Sequence, residues 1–400
     1  MDLLSRKRVL LGIGGGIAAY KCPELVRRLL AEGAEVQVAM TKSAREFVSP
    51  LVLQTLSQRA VALDLLDVRD DAAIGHIRIA EEADVVLVAP ATANLVSRMA
   101  CAMADDIVTA ALLVARCPVV VAPSMNTNML AHPAVQKNLA TLASFGHRIV
   151  ESDSGALACG YEGAGRLPDP DALVAEVAAA LSPDDLCGRS VLVSAGPTRE
   201  PLDPVRYLTN RSSGRMGYAV ASAAWRRGAR VTLVSGPTAL AAPRGVERVN
   251  VSTAAEMREA MLVRAPSSDI VVMVAAVADY RPAECADHKI KKQDGRAMVI
   301  PLAENEDILA ALGGLPGKRV LVGFAAETEN VLEHARGKLE RKRAHLIVGN
   351  DVTRVGAGFE TETNAAVLVD ATGQKATGLV SKDKLACMIL DRAIELAAAS

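Results

Sequence analysis

Apolar residues in this chain gather in short unbroken runs, and between the runs they recur every three or four positions. Arg8–Ile13, Ala34–Met40, Asp84–Ala89, Pro118–Ala122 and His147–Val150 have the length and Val/Ile/Leu content of strands buried on both faces. The Ala-rich amphipathic stretches between them predict helices, and strand–helix alternation of this kind packs as a parallel sheet covered on both sides. A helix near Asp171–Leu181 closes the series. Ser182–Gly188, SPDDLCG, is polar and carries proline and glycine, which marks a boundary. The pattern then restarts, with strands at Ser190–Ala195, Arg230–Ser235, Asp269–Ala275, Arg319–Phe324, His345–Val348 and Ala365–Val369 and a helix at Met216–Arg227. A charged loop, Asp287–Arg296, interrupts this second half. The expectation is two doubly wound α/β domains with mainly parallel sheets, residues 1–181 and 190–400, joined by a linker at 182–189. The stretches RRLLAEGAEVQVAMT and AAWRRGARVTLVSG share a helix–Gly–strand grammar, which fits either a duplication or the common text of any βαβ unit.

Composition narrows the function. Four hundred residues suit two or three domains of ~150 residues each, and an apolar half supplies their cores. The 45 basic and 46 acidic side chains leave a net charge of −1, so the usual basis for nonspecific nucleic-acid or membrane-surface binding is missing. Aromatics at 2% are too few for a base-stacking single-strand binder. Seven irregularly spaced cysteines without a CxxC pair support neither a disulfide framework nor a zinc knuckle. The N-terminal apolar run is broken at once by glycines, unlike a signal peptide, and no uncharged run approaches the ~20 residues that span a bilayer. A soluble protein of a reducing cytoplasm is expected.

The first strand runs into Gly12-Ile13-Gly14-Gly15-Gly16 ahead of a helix, an arrangement that lets backbone N–H groups approach a phosphate at the helix N-terminus. Ile17 occupies the third small position of the dinucleotide fingerprint. The second strand ends in Met40-Thr41-Lys42-Ser43, without the carboxylate that holds a ribose diol. Mononucleotide binding is the better reading, with a plain tight turn as the alternative. Pro90-Ala91-Thr92-Ala93-Asn94 and Pro123-Ser124-Met125-Asn126-Thr127 follow later strands, at the sheet end where ligands bind, although loop asparagines commonly serve as turn or cap residues. Cys159 lies in Ala158–Arg166, read here as a glycine-rich loop that favours access over core packing. His76, in GHIRIAEEAD, reads alone as a helix-start histidine.

Taken in order, GGGIAAYK, His76, APATAN, PSMN and ACGYEGAG resemble the flavin-dependent cysteine decarboxylases over nearly all of residues 5–175. The resemblance implies a flavodoxin-like fold with FMN as oxidant, its phosphate near Gly15, Gly16 and Thr41 and its ring near Thr92, Asn94 and Ser124. It implies His76 as the base in oxidation, Asn126 as holder of the substrate carboxylate, and Cys159 as proton donor when the reduced flavin returns hydride. Oxidising the thiol carbon first creates an electron sink beside the departing carboxylate. The family builds this site between the subunits of a trimer.

In the second half, a loop from Gly196 to Gly217 contains Arg199, Arg206, Arg211 and Arg215, two serines and several glycines between a strand and a helix. Such a loop makes either an anion site or a solvated basic surface. No Walker-type P-loop is present. Asp279 follows a strand in AAVADY, and Lys289, Lys291 and Lys292 sit in charged sequence. Lys338 and Lys342 project from one face of a predicted helix. Together SAGPTREPLDPVRYLTNRSSGRMG, AAVADYRP, KIKK and GFAAET resemble phosphopantothenate–cysteine ligases across about residues 188–395, with a Rossmann-like fold. Both resemblances in one chain match the bifunctional coenzyme A biosynthesis flavoproteins of bacteria.

The ligase resemblance implies that CTP converts the carboxylate of 4′-phosphopantothenate into an acyl-cytidylate, and that cysteine then displaces CMP. Asn210 would position the acyl-cytidylate with Arg206 alongside, and Lys289 would stabilise charge during activation. Ala275, Asp279, Phe324, Lys338 and Lys342 would bind the nucleotide, with Glu306, Asp307, Ile308 and Leu309 framing the base. Mg²⁺, near Asp279, would accompany the triphosphate. A homo-oligomer of decarboxylase trimers and ligase dimers, closing a dodecamer, is the family habit. Three positions depart from the family pattern: Arg215 replaces the lysine of SSGKMG, Glu306 the proline of NPDI, and His345 a frequent aspartate. The rival readings are a non-catalytic flavin-binding regulatory subunit, which typically lacks the histidine or cysteine retained here, and a flavin reductase fused to a nucleotide-binding domain.

Overall fold

The unbroken apolar runs become the interior strands of two separate sheets in a computed structural model. It describes residues 4–65, 75–156, 160, 162–291, 298–327, 330–351, 358 and 361–399. The chain divides into two units, Met1–Pro183 and Asp184–Ser400.

The strands of the first unit are β1 (Arg8–Ile13), β2 (Glu35–Met40), β3 (Val85–Ala91), β4 (Val119–Pro123), β5 (Arg148–Ile149), β6 (Asp153–Ala156) and β7 (Glu162–Arg166). Its helices are α1 (Cys22–Ala31), α2 (Pro50–Ser57), α3 (Gly75–Glu81), α4 (Ala93–Ala100), α5 (Ile107–Val114), α6 (Thr127–Ala131), α7 (Pro133–Ser144) and α8 (Pro170–Ala180). The main sheet has the order β2-β1-β3-β4-β5, parallel throughout. Period-two alternation splits each central strand between two cores. Leu11, Ile13 and Leu87 face α1 and α8, whereas Leu10, Val86 and Val88 face α4, α5 and α7. Chain direction across the sheet reverses between β1 and β3, the switch point of a doubly wound sheet.

One segment differs from the sequence reading. Glu162–Arg166, expected in a glycine-rich loop, is strand β7, paired antiparallel with β6. Its glycines disguise it, because they carry no apolar signal and are there to let the strand approach other backbone closely.

The second unit contains β8 (Ser190–Ala195), β9 (Arg199–Pro201), β10 (Tyr207–Thr209), β11 (Arg230–Ser235), β12 (Val246–Asn250), β13 (Ile270–Met273), β14 (Tyr280–Pro282), β15 (Leu302–Glu304), β16 (Val320–Glu327), β17 (Leu346–Asp351), β18 (Thr363–Asp370) and β19 (Gly373–Ser381). Its helices are α9 (Arg215–Arg226), α10 (Ala254–Arg264), α11 (Ile308–Gly313), α12 (Val331–Arg341) and α13 (Lys382–Ala399). The large sheet runs β12-β11-β8-β13-β16-β17-β18-β19, parallel as far as β17 and antiparallel beyond it. Its switch point lies between β8 and β13. Strand β13 stops at Met273 because the buried Ser194 hydroxyl accepts the N–H groups of Val274 and Ala275 at 3.0 and 3.1 Å. Asp184–Arg189, read from sequence as linker, packs onto this unit: Leu186 is fully buried and Asp185 pairs with Arg227 at 2.6 Å.

A recurring device starts the strands. The residue before β3, Asp84, accepts the N–H of Arg8, and Asp269 before β13 accepts that of Ser190. His345 does the same before β17, its Nδ1 accepting the Leu321 N–H at 3.1 Å. Burial lowers the His345 pKa, which keeps the neutral, accepting ring that this bond requires. Histidine therefore substitutes functionally for the expected aspartate.

Asp370 ties the end of β18 to α13. Its buried carboxylate accepts Arg392 Nε at 2.7 Å and the Thr372 N–H at 2.7 Å. Burial alone would raise its pKa, but Arg392 and Thr372 bring it down to about 2. With an unfolded value of about 3.9, this carboxylate contributes fully above that pH, and the contribution is lost as pH falls towards about 2. Melting curves over that interval should therefore be shallower for Asp370→Asn than for the parent, with the variant already less stable at neutral pH. Parallel curves would remove Asp370 as a source of acid lability.

Candidate functional site

Three loops meet at the switch point of the first unit. Beyond β1, the Gly14 N–H donates to the Pro90 carbonyl at 3.1 Å. A Cβ placed on Gly15 would lie 2.3 Å from Ser43 Cβ and 2.7 Å from the Ser43 carbonyl carbon, so only glycine allows this approach. Thr41, buried, caps the turn Lys42–Glu46 by accepting the Ala44 N–H, and Thr92 caps α4 by accepting the Leu95 N–H, both at 3.3 Å. A Cβ on Gly16 would touch Thr92 Cγ2 at 3.2 Å. Gly15, Gly16, Thr41 and Thr92, far apart in sequence, thus line one junction. Exposed Asn94 follows in the first turn of α4.

The PSMN loop is shaped by the β6–β7 hairpin. The Ser124 N–H donates to Ala91 O, the Met125 N–H to Gly165 O at 3.0 Å, and the Thr127 hydroxyl to Ala164 O at 2.8 Å. Gly165 has φ +125°, and a Cβ there would fall 2.1 Å from the Met125 carbonyl oxygen. Asn126 caps α6, its Oδ1 accepting the Asn128 N–H at 2.8 Å. Two motifs about forty residues apart in sequence therefore form one structure. Cys159 lies outside the described residues. His76 sits in the first turn of α3, and its buried Nδ1 finds no hydrogen-bond partner among the described residues.

The second unit holds a cavity of about 780 Å³ at the C-terminal ends of β8 and β13. Asn210, Ala275, Asp279, Phe324, Lys338 and Lys342 all line it, as do Glu306, Asp307, Ile308 and Leu309. The N-terminus of α9, Gly214–Gly217, forms one wall, bringing the positive end of the helix dipole to the cavity. Asn210 is held by its Nδ2 donating to Val277 O at 2.9 Å. Lys338 donates to Phe324 O at 2.7 Å, and Lys342 pairs with Asp307 at 2.7 Å. Burial would raise the Asp307 pKa, yet the Lys342 ammonium and the Ala310 N–H hold it below the usual carboxylate range. Lys289 is exposed and does not line the cavity, and Arg206 lies outside it as well, bound to Asp203. No cluster of three metal-ligating side chains occurs among the described residues, so a cation near exposed Asp279 would need oxygens from its ligand.

Sequence reading missed the far wall: Asn350, Asn364 and Lys382. All three are buried, and Lys382 donates to the carbonyls of Gly358 and Thr361. Burial, then the neighbouring Arg215 charge, lowers the Lys382 pKa. The remaining departures from the family pattern each have a partner. Arg215 pairs with Glu362, and Glu306 with Arg258 at 2.5 Å.

Comparison with known proteins covers both units. Residues 2–182 match the family model "Flavoprotein", and residues 186–396 match "DNA/pantothenate metabolism flavoprotein C-terminal domain". The chain is 50% identical over 398 residues to the coenzyme A biosynthesis bifunctional protein CoaBC of Vibrio parahaemolyticus, covering 99% of this chain and 100% of that one. The crystal structure of a CoaBC C-terminal domain is 41% identical, covering 54% of this chain and 100% of its own, with a TM-score of 0.47. That of the FMN-dependent cysteine decarboxylase SpaF is 32% identical, covering 45% and 99%, with a TM-score of 0.40. No described helix is long and apolar enough to cross a membrane.

Proposed function

From the premise that the chain belongs to the CoaBC family of bifunctional coenzyme A biosynthesis proteins, we propose that its ligase unit uses CTP and Mg²⁺ and its decarboxylase unit FMN. The two activities are ligation of cysteine to 4′-phosphopantothenate and decarboxylation of the product to 4′-phosphopantetheine. We assign decarboxylation to residues 1–181 and ligation to 190–400, in a cytoplasmic homo-oligomer.

In the ligase unit, the substrate carboxylate attacks the α-phosphorus of CTP and pyrophosphate leaves. The cysteine amine then attacks the acyl carbon and CMP leaves. An ionised carboxylate resists amines, so activation both removes its charge and supplies a leaving group. Lys338, Lys342 and the α9 N-terminus neutralise phosphate charge and Asn210 orients the acyl group, while Asp279 would hold Mg²⁺, which would offset triphosphate charge. Lys289 stabilises charge as the acyl-cytidylate forms. Supporting this reading, Asn210, Asp279, Phe324, Lys338 and Lys342, spread over more than 130 residues, border a single cavity of about 780 Å³.

In the decarboxylase unit, the junction at Gly15, Gly16 and Thr41 suits a flavin phosphate, and Thr92, Asn94 and Ser124 suit its ring. When bound, FMN supplies the two-electron oxidation that makes CO₂ loss feasible. His76 takes the proton released in that oxidation, and its unpartnered buried nitrogen fits such a task. Asn126 holds the carboxylate, and Cys159 donates the proton that accompanies return of the same two electrons to the enethiol, so that the overall reaction is redox-neutral.

One incubation tests the reading: the protein with 4′-phosphopantothenate, cysteine, CTP and Mg²⁺, followed by mass spectrometry. The expected masses are 4′-phosphopantetheine, CMP and pyrophosphate. Accumulated amide would point to a flavin-free decarboxylase unit, and no new mass would remove the ligase reading; in a parallel incubation with ATP replacing CTP, AMP formation of equal efficiency would remove the CTP assignment.

A further inference from the structure

We propose that Asp203 is a positioning residue for Lys289, which it serves by fixing the peptide of Ile290 from inside the second unit. This rests on the reading in which Lys289 acts during carboxylate activation. The Asp203 carboxylate is fully buried, yet no bond it makes goes to the central sheet. One oxygen accepts the N–H groups of Val205 and Arg206, both at 2.8 Å. The other accepts Arg206 Nε at 3.0 Å, Arg206 Nη2 at 2.5 Å and the Ile290 N–H at 3.1 Å. Arg206 Nη2 donates in turn to the Ile290 carbonyl at 2.9 Å. Both polar groups of residue 290 are therefore tied to one ion pair, whose carboxylate is buried and whose arginine is exposed.

The segment is also docked four residues earlier, where the Ala286 N–H donates to Leu202 O at 3.0 Å. Exposed Lys289 lies between these two anchors. A buried carboxylate is costly unless every oxygen is bonded, and here the bonds come from three peptide N–H groups and one arginine. The consequence of that arrangement is to locate the loop. Lys289 thus extends from a fixed base, and misplacing such a group by about 1 Å can reduce a rate ~10²-fold.

Asp203→Asn tests this with no change in size. It keeps one accepting oxygen but sets an NH₂ against the donors of Arg206 and Ile290. The expected result is a roughly 10- to 100-fold lower kcat for CTP-dependent pyrophosphate release, with KM for CTP changed less than about threefold. Decarboxylation of supplied phosphopantothenoylcysteine by the same chain should be unaffected. In a Lys289→Ala background, Asp203→Asn should add less than about threefold, because residues acting as a unit are not additive. If it adds its full effect there, Asp203 does not act through Lys289 and the proposal is overturned. If Lys289→Ala alone retains the parental rate, the reading of Lys289 fails instead, and the proposal falls with it. Should Asp203→Asn lower the melting temperature so far that the unit is unfolded, Arg206→Lys is the second probe. It preserves the charge beside Asp203 but cannot bridge to Ile290 O, and it should reproduce the kcat loss. An unchanged kcat in a folded variant of either kind overturns the proposal.

Discussion

Gly15→Ala is expected to strip the flavin from the protein, lowering bound flavin per chain at least ~10-fold and abolishing decarboxylation to a similar degree. Ordinary carbon contacts lie at ~3.5–4.0 Å. The new methyl group would sit 2.3 Å from Ser43 Cβ and 2.7 Å from its carbonyl carbon, so side-chain rotation cannot relieve the clash. The glycine loop or the Thr41–Ala44 turn must move by more than an ångström, and these are the two walls assigned to the phosphate. The ligase unit has its own sheet and cores, so amide formation should continue. The expected observation is colourless protein that accumulates phosphopantothenoylcysteine. A yellow variant that still makes phosphopantetheine would place the phosphate elsewhere.

Asn210→Asp should produce the opposite phenotype. The Asn210 amide donates to Val277 O at 2.9 Å, and an aspartate of equal size has nothing to donate. Its carboxylate would be repelled by that carbonyl and would add negative charge to a cavity assigned to a triphosphate. Removing one well-placed hydrogen-bonding group from a reacting centre typically reduces rates ~10²–10³-fold, and that is the expected loss in amide formation. If Asn210 orients the acyl group for amine attack, pyrophosphate should still be released and acyl-cytidylate should accumulate in the mass spectrum. Unimpaired amide formation would remove Asn210 from the mechanism.

What could be read from sequence follows from what burial does to composition. Strands β1, β8 and β11 coincide with the expected ranges, because strands covered on both faces are predominantly apolar and each of these begins at a polar residue, Arg8, Ser190 or Arg230. The short antiparallel pairs β9–β10 and β14–β15 were not foreseen. They are three residues long, in segments rich in Arg, Glu and Pro that leave no apolar period. Strand β19, mostly exposed, was invisible for the same reason.

The nucleotide-side candidates were legible because each sits in a motif that resemblance could pick out. Lys382, Asn350 and Asn364 have no such context. Lys382 begins a long helix and Asn350 lies one residue before the end of a strand, and only the fold brings them to the same cavity. Asp203 was visible as a letter in the arginine-rich loop, but its bonds to Ile290 cross 87 positions and leave no local signal.

The bonds from Met125 and Thr127 to Gly165 and Ala164 set a timetable for synthesis. A nascent chain that has emerged only as far as Ile149 already contains every strand of the parallel sheet β2-β1-β3-β4-β5. It cannot yet give the Asn126 loop its final form, because the carbonyls that fix that loop have not been made. The strands are therefore made before the carbonyls that shape the Asn126 loop, and α8, which covers one face of the sheet, comes last, so a premature stop between these points would leave a sheet with an uncovered face and an unfinished loop. Ribosome stalling or rare codons within residues 150–166 should consequently delay both the closing of that core and the shaping of the loop.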